Sequence, residues 1–164
     1  MYNILLFSGG VYKFELLAEY IEDVGGLLVQ EDRLHISRGS YFLSEEMRVI
    51  LIVPQSEISS VKSFAYDIKG NIEELKLEKN LESKLKNSLI IYNILSKKEN
   101  WMGITEILDQ IQKDTQGNYY NELESDIKDS EHDLEKCLEL MLSLKLIKKR
   151  KHNEIDEYHL VQKN

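Results

Sequence analysis

Residues that could bind a metal or act in catalysis are few and scattered in this 164-residue sequence. The histidines and the single cysteine are His35, His132, His152, His159 and Cys137. His132 and Cys137 are five positions apart and so do not share a helical face, and no second pair completes a set of zinc ligands. No Ser-His-Asp or Cys-His grouping follows from the sequence either. We therefore predict a non-enzymatic protein with no catalytic residues, no metal and no cofactor.

Ser8-Gly9-Gly10 is the stretch most suited to binding a small ligand. It follows an apolar run, Tyr2–Phe7, that predicts a strand, and it precedes a helical pattern. Backbone N–H groups at the start of a helix can bind an anion. The stretch resembles the SGGxDS phosphate loop of ATP pyrophosphatases, but Tyr12 and Lys13 occupy the aspartate and serine positions of that motif. A plain turn, a small-ligand loop and a nucleotide-using enzyme stay open as interpretations.

Charged side chains form two contrasting clusters near the end of the chain. The acidic cluster consists of Glu131, Asp133, Glu135 and Glu139, and the basic run consists of Lys148, Lys149, Arg150 and Lys151. The acidic cluster lies on a predicted helix and suits a partner protein with a basic patch, because complementary charge guides docking. The basic run could hold a DNA backbone or could be a solvated strand. The net charge of −8 argues against unspecific attraction to nucleic acid.

Composition indicates an ordinary globular protein, with 42% hydrophobic and 30% charged residues. No apolar run approaches the ~20 residues that span a membrane. The N-terminal MYNILLFSGG has no basic residues ahead of its apolar stretch, so we expect no signal peptide. Cys137 lies on an apolar helical stripe, which predicts a buried thiol in a reducing cytoplasm.

The first half of the chain shows the order β-α-β-β-α-β. The predicted elements are a strand at Tyr2–Phe7, a helix at 12–24, an extended region at 27–36 bent at Glu31-Asp32, a central strand at Met47–Val53, a helix carrying Ile58, Val61, Phe64, Ala65 and Ile68, and a strand at Ile72–Leu77. Residues near Leu43 could add an edge strand. This order resembles the ferredoxin-like fold, including sensor domains of the amino-acid-binding ACT type. The resemblance implies a role in dimerisation or in ligand sensing near Ser8-Gly9-Gly10.

The second half follows a polar boundary at Glu78–Lys84 and is predominantly helical. Its apolar residues predict helices around Leu89–Leu95, Ile104–Ile111 and Leu134–Leu142, with a short strand at Trp101-Met102, a polar loop with an extra helical turn between Asp114 and Ser130, and a final strand, Asn153-Glu154 tip and return strand. Two segments of this half resemble a winged-helix domain of the phenolic-acid-regulator (PadR-like) type. They are SLIIYNILSKKENWMGITEILDQIQ and DLEKCLELMLSLKLIKKRKHNEIDEYHLV. The acidic cluster departs from that family, which has small, basic or aromatic residues where its third helix starts.

The sequence therefore predicts an α+β protein in which a ferredoxin-like βαββαβ domain, residues 1–79, precedes a winged-helix domain, residues 80–164. The leading hypothesis is a cytoplasmic regulatory or assembly protein whose winged helix docks another protein through the acidic cluster. The alternative is a DNA-binding transcription regulator that uses the basic run and pairs as a homodimer through its N-terminal domain.

Overall fold

The computed structural model describes residues 2–37, 43–116 and 131–161, with the side chains of 35–37, 43–44 and 115–116 excepted. Helices and antiparallel sheets alternate in these ranges, which confirms the α+β class. The chain divides into two compact units, Met1–Leu77 and Glu78–Asn164. The division into domains at residues 79 and 80 stays a prediction. Within the described ranges, no helix is both long enough and apolar enough to cross a bilayer.

The N-terminal unit is a four-stranded antiparallel sheet with two helices on one face. Its elements are β1 (Tyr2–Gly10), α1 (Phe14–Asp23), β2 (Leu27–Ser37), β3 (Leu43–Pro54), α2 (Ile58–Asp67) and β4 (Asn71–Glu74). The strand order is β2-β3-β1-β4, so β3 is an inner strand, as its apolar run predicts. Alternate residues of β1 and β3, including Leu5, Phe7, Val49 and Leu51, form a core with the buried stripes of both helices.

Several predicted boundaries in this unit are wrong. Strand β1 continues through Gly10, because the backbone of Ser8–Gly10 pairs with β3 instead of turning. The irregularity in β2 lies between Leu28 and Gln30, not at Glu31-Asp32. Leu43 begins β3 and does not form a separate edge strand. Strand β4 ends at Glu74, since its pairing with β1 ends there.

The glycines near the end of β1 are required by close packing around one aromatic ring. A Cβ atom on Gly9 would lie 2.9 Å from the Cα of Gly70 and 2.9 Å from Cζ of Phe7. A Cβ atom on Gly70 would overlap the same ring. The Phe7 ring also contacts Phe14, at a centroid distance of 5.2 Å. Gly9 and Gly70 therefore let β1 and the end of α2 approach on either side of Phe7.

In its described residues, 78–116 and 131–161, the C-terminal unit combines three helices with a three-stranded antiparallel sheet. Its elements are α3 (Lys79–Ser96), β5 (Met102–Gly103), α4 (Ile104–Gln116), α5 (Glu131–Ser143), β6 (Ile147–His152) and β7 (Ile155–Leu160), and its strand order is β5-β7-β6. Helix α3 begins at Lys79, so most of the expected polar boundary at Glu78–Lys84 is helical. The loop and extra helical turn were predicted between Asp114 and Ser130. The first three of these residues belong to α4, and residues 117–130 lie outside the described part of the chain.

The predicted helix, strand, turn and return strand at the end of the chain are confirmed. Helix α5 ends where Lys145 adopts a left-handed φ of 59° and the N–H of Leu146 bonds to the carbonyl of Met141. Asn153 and Glu154 both have positive φ angles, 51° and 64°. Two such residues between paired strands form the mirror-image turn that suits the right-handed twist of a hairpin.

We predict that Gly70→Ala destabilises the protein by about 1–3 kcal/mol, because the added methyl group overpacks the Phe7 ring. Gly10→Ala is the matched control, since the nearest atom to its Cβ is 4.0 Å away. Urea unfolding of both variants measures the difference. Equal stability of the two variants would show that the Phe7 contact does not require glycine.

Candidate functional site

Three residues of the acidic cluster form one exposed stripe along α5. Glu131, Glu135 and Glu139 are all exposed, and their spacing of four residues places them in a row with about 6 Å of rise between neighbours. The opposite face of the helix is buried and carries Leu134, Cys137, Leu138 and Met141. The alternation of burial and exposure follows from the helical period, so the stripe is held outward by the packing of the apolar face.

Asp133 does not belong to this stripe. It is half-buried and lies near Cys137, where its negative charge contributes to raising the pKa of the thiol. Burial is the main cause of that rise, and it takes the pKa of Cys137 to about 11, against the opposing effects of Lys84 and a hydrogen bond with Asn87. The thiol is therefore protonated at neutral pH and is a core side chain, as its place in the sequence predicts.

The basic run lies on β6, which is an edge strand, and its four cations do not form one patch. Successive side chains of a strand point to opposite faces. Lys149 and Lys151 share the face that includes the buried Ile147 and Tyr158, whereas Lys148 and Arg150 lie on the other face. Charged residues on an edge strand also prevent pairing with other chains, which is sufficient reason for lysines at these positions.

Two of the four cations are paired with carboxylates of β7. The ammonium of Lys149 lies 3.2 Å from a carboxylate oxygen of Asp156, and this contact is the main cause of the raised pKa of Lys149. Arg150 donates from both Nε and Nη2 to one carboxylate oxygen of Glu157, each at 2.7 Å. The acidic residues of the hairpin thus offset half of the basic run.

The face of the hairpin that carries Arg150 also contains an aromatic residue that sequence reasoning treated only as part of a strand. The guanidinium of Arg150 lies 4.5 Å from the ring centroid of Trp101, and the ammonium of Lys148 lies 5.5 Å from it. Cations at these distances are attracted to the face of an indole ring. The sequence does show a single tryptophan just before β5. The spacing of residues could not reveal that β6 and β7 bring Lys148 and Arg150 beside it.

The remaining candidate residues do not converge. Ser8, Gly9 and Gly10 lie in a paired strand instead of a turn, and a ligand-binding role for them stays a prediction. His152 is near Glu157 at 3.8 Å, while His132 is exposed on α5 and His35 has no described side chain. Among the side chains that the structure describes, no group of three or more His, Cys, Asp or Glu is arranged to hold a metal ion.

Comparison with known proteins finds a family model that is similar to the first half of the chain. Residues 2–82 match the model of a described protein family. That family is methyl-coenzyme M reductase operon protein C. The match covers just under half of the chain and leaves α5 and the β6–β7 hairpin outside it.

A curated relative gives a similar extent of match. The chain is 36% identical over 77 residues to an uncharacterized protein of Methanocaldococcus jannaschii, and these residues make up 47% of this chain and 22% of the relative. The chain therefore matches only about a fifth of the length of that relative. No solved structure matches the chain.

These findings correct both family resemblances drawn from the sequence. The family model that matches is methyl-coenzyme M reductase operon protein C, and not a winged-helix regulator of the PadR-like type or an ACT-type sensor. The physical reason is that the spacing of apolar residues reflects secondary structure and packing, which unrelated families share.

We predict that Cys137 makes protein stability fall between about pH 9 and pH 11. An unfolded thiol ionises near its ordinary pKa of 9.0, whereas the folded thiol stays protonated up to about 11. The unfolded state therefore binds fewer protons in this window, and the loss reaches on the order of 2 kcal/mol. Urea unfolding at about pH 8 and about pH 10 measures it.

Cys137→Ala is the reference variant, because lysine and tyrosine side chains also titrate at these pH values. The decline in stability should be smaller in this variant than in the unchanged protein. Identical declines would mean that Cys137 ionises as readily in the folded state as in the unfolded one.

Proposed function

We propose that this chain is a non-enzymatic assembly or regulatory protein that docks another protein, and that its partner is a product of the methyl-coenzyme M reductase operon. The family match over residues 2–82 supports the choice of partner class. The exposed stripe of Glu131, Glu135 and Glu139 supports docking, and it is the observation that carries the proposed surface.

The stripe suits a partner with a basic patch for electrostatic reasons. Three carboxylates in one row produce a local negative field, which raises the encounter rate and sets the register of a cationic surface. Nearby groups of the chain, such as Lys149, offset only part of this negative field. Glu139 contributes to the raised pKa of Lys149, and both Glu135 and Glu139 add to the effect of burial in raising the pKa of Tyr158. The outward side of the stripe is exposed.

Two observations weigh against the DNA-binding alternative. Lys149 and Arg150 are paired with carboxylates of β7, so they contribute little net positive charge for phosphate binding. The family model that matches the chain is also not that of a transcription regulator. We therefore do not extend the proposal to DNA.

We propose that the arrangement of elements is ferredoxin-like in the first unit and of the winged-helix type in the second, as a matter of topology and not of family. The strand order β2-β3-β1-β4 supports the first part, and the order helix, strand, helix, helix, strand, strand supports the second. We also propose that residues 1–79 and 80–164 are separate domains. Ligand sensing and pairing by the N-terminal sheet stay predictions without a supporting contact.

The docking surface is tested by charge reversal on two helices. Full-length protein is co-expressed with the products of the methyl-coenzyme M reductase operon and isolated through an affinity tag. We predict that Glu135→Lys with Glu139→Lys weakens partner binding on the order of tenfold, because the variant repels a basic patch. Binding is measured by surface plasmon resonance at low and high salt.

Glu15→Lys with Glu19→Lys is the matched control, since these glutamates are also exposed and four residues apart on α1. Loss of binding in the α1 variant alone would place the docking surface on the N-terminal unit and contradict the α5 assignment. Failure of every operon product to bind the unchanged protein would contradict the proposed partner class.

A further inference from the structure

The outer face of the three-stranded sheet carries side chains that a solvent-exposed sheet face rarely needs. Met102, Ile147 and Tyr158 on the opposite face are buried. Strand register places Lys148 opposite His159, Arg150 opposite Glu157, and His152 opposite Ile155 on the outer face. We call the set Trp101, Lys148, Arg150, Ile155, Glu157 and His159 the Trp101 face. The solvated face of an antiparallel sheet typically carries polar side chains, and Ile155 and Trp101 depart from this pattern.

Two features make the Trp101 face partly apolar. Ile155 retains 61% of its exposure although it belongs to a paired strand, and Trp101 is half-buried. Gly103 pairs with Glu157 and so contributes no side chain between them. A Cβ atom at Gly103 would lie 3.7 Å from the side chain of Ile155. The side chain of Ile155 therefore lies over the buried Gly103 on the same face as the indole ring and leaves its outer atoms exposed.

The same face holds preorganised cations. The indole ring positions Lys148 and Arg150 side by side, since both cationic groups lie within 5.5 Å of its centroid. Nε and Nη2 of Arg150 donate to one oxygen of Glu157, so the remaining N–H groups of the guanidinium can donate to a second carboxylate. The structure describes no carboxylate beside Lys148 among the residues it covers.

His159 packs beside the indole ring and is held by two backbone carbonyl groups. Its Nδ1 lies 2.9 Å from the carbonyl oxygen of Leu160, and its Nε2 lies 3.1 Å from the carbonyl oxygen of Glu99. The ring also packs against Trp101 at a centroid distance of 5.5 Å. His159 thereby fixes the indole ring between the segment at Glu99 and the end of β7.

We propose that the Trp101 face binds an acidic and partly apolar segment of another protein, whose carboxylates pair with Lys148 and Arg150 and whose apolar side chains contact Ile155 and Trp101. This surface is distinct from the acidic stripe of α5 and has the opposite charge. The proposal does not depend on the reductase operon as the source of a partner.

Carboxylates fit this face better than a nucleic-acid backbone does. Because Glu157 takes Nε and Nη2 of Arg150, the remaining N–H groups of Arg150 and the ammonium of Lys148 suit single carboxylates. Glu157 would repel a continuous row of phosphates, because a duplex carries about one charge per 1.7 Å along its axis. A segment with separated carboxylates can instead place single charges near Lys148 and Arg150, with its apolar residues between them.

Trp101 provides a direct signal for the test, because it is the only tryptophan in the chain. The full-length protein is titrated with a synthetic peptide that alternates glutamate and leucine, and its tryptophan fluorescence is recorded. We expect a saturable change in fluorescence. Lys148→Ala with Arg150→Ala should weaken binding on the order of tenfold or more, because charge-assisted hydrogen bonds are lost.

Lys149→Ala with Lys151→Ala is the control, since it removes two cations from the same strand but from the opposite face. This variant should bind the peptide almost as tightly as the unchanged protein. Ile155→Ser should weaken binding several-fold while retaining both cations, which separates the apolar contact from the charge contact. Circular dichroism establishes that each variant is folded, and variants that unfold are replaced by Lys148→Gln alone.

Other ligands, and a comparison of the two double variants, can overturn the proposal. A peptide with glutamine in place of glutamate should not bind, and equal affinity would remove the role of carboxylates. Tighter binding of a phosphoserine peptide or of duplex DNA would assign the face to phosphate instead. Equal losses in the two double variants would show unspecific electrostatic attraction. None of these outcomes depends on the α5 charge-reversal experiment, so the two proposals fail separately.

Discussion

The alternation of side chains along a strand governs the charge distribution of the C-terminal unit. The four consecutive cations of β6 point alternately to the two faces of the sheet. On a strand they separate, so that Lys149 meets Asp156 on one face and Arg150 meets Glu157 on the other. The basic run is therefore not a single functional unit. Its two halves lie on opposite faces of the sheet and have different neighbours.

This separation gives the unit two surfaces of opposite sign. The α5 stripe is acidic because its apolar face must be buried, which leaves every fourth residue free to be a glutamate. The Trp101 face carries Lys148, Arg150 and the exposed Ile155, whereas Met102, Ile147 and Tyr158 are buried on the other side of the sheet. Paired charges across the hairpin are exposed and contribute little to stability, so their main effect is on where the remaining charge lies. Partners of opposite charge could thus be distinguished by one small unit.

Local periodicity predicts most of the elements but few of the contacts. The helical stripes of α1, α2 and α5 and the central position of β3 follow from apolar spacing alone. Ser8–Gly10 was predicted to turn because glycine pairs favour turns, yet Gly9 serves the approach of Gly70 to Phe7. Lys69 adopts the left-handed conformation that ends α2, and the N–H of Gly70 bonds to the carbonyl of Ala65. The acidic stripe was predictable from helical spacing, whereas the neighbours of Trp101 depend on pairing between segments distant in sequence.

The hairpin turn determines whether the Trp101 face exists in its present form. Two residues, Asn153 and Glu154, connect the strands with positive φ angles and fix the register at His152 opposite Ile155. A slip of one residue would move each side chain of β7 to the other face, which would separate Glu157 from Arg150 and expose Tyr158. Left-handed backbone costs a non-glycine residue about 1–2 kcal/mol, so this register is maintained by contacts elsewhere. Burial of Tyr158, which is 4% exposed, and of Ile147 supplies those contacts. The apolar residues on the inner face thereby hold the charged residues of the outer face in position.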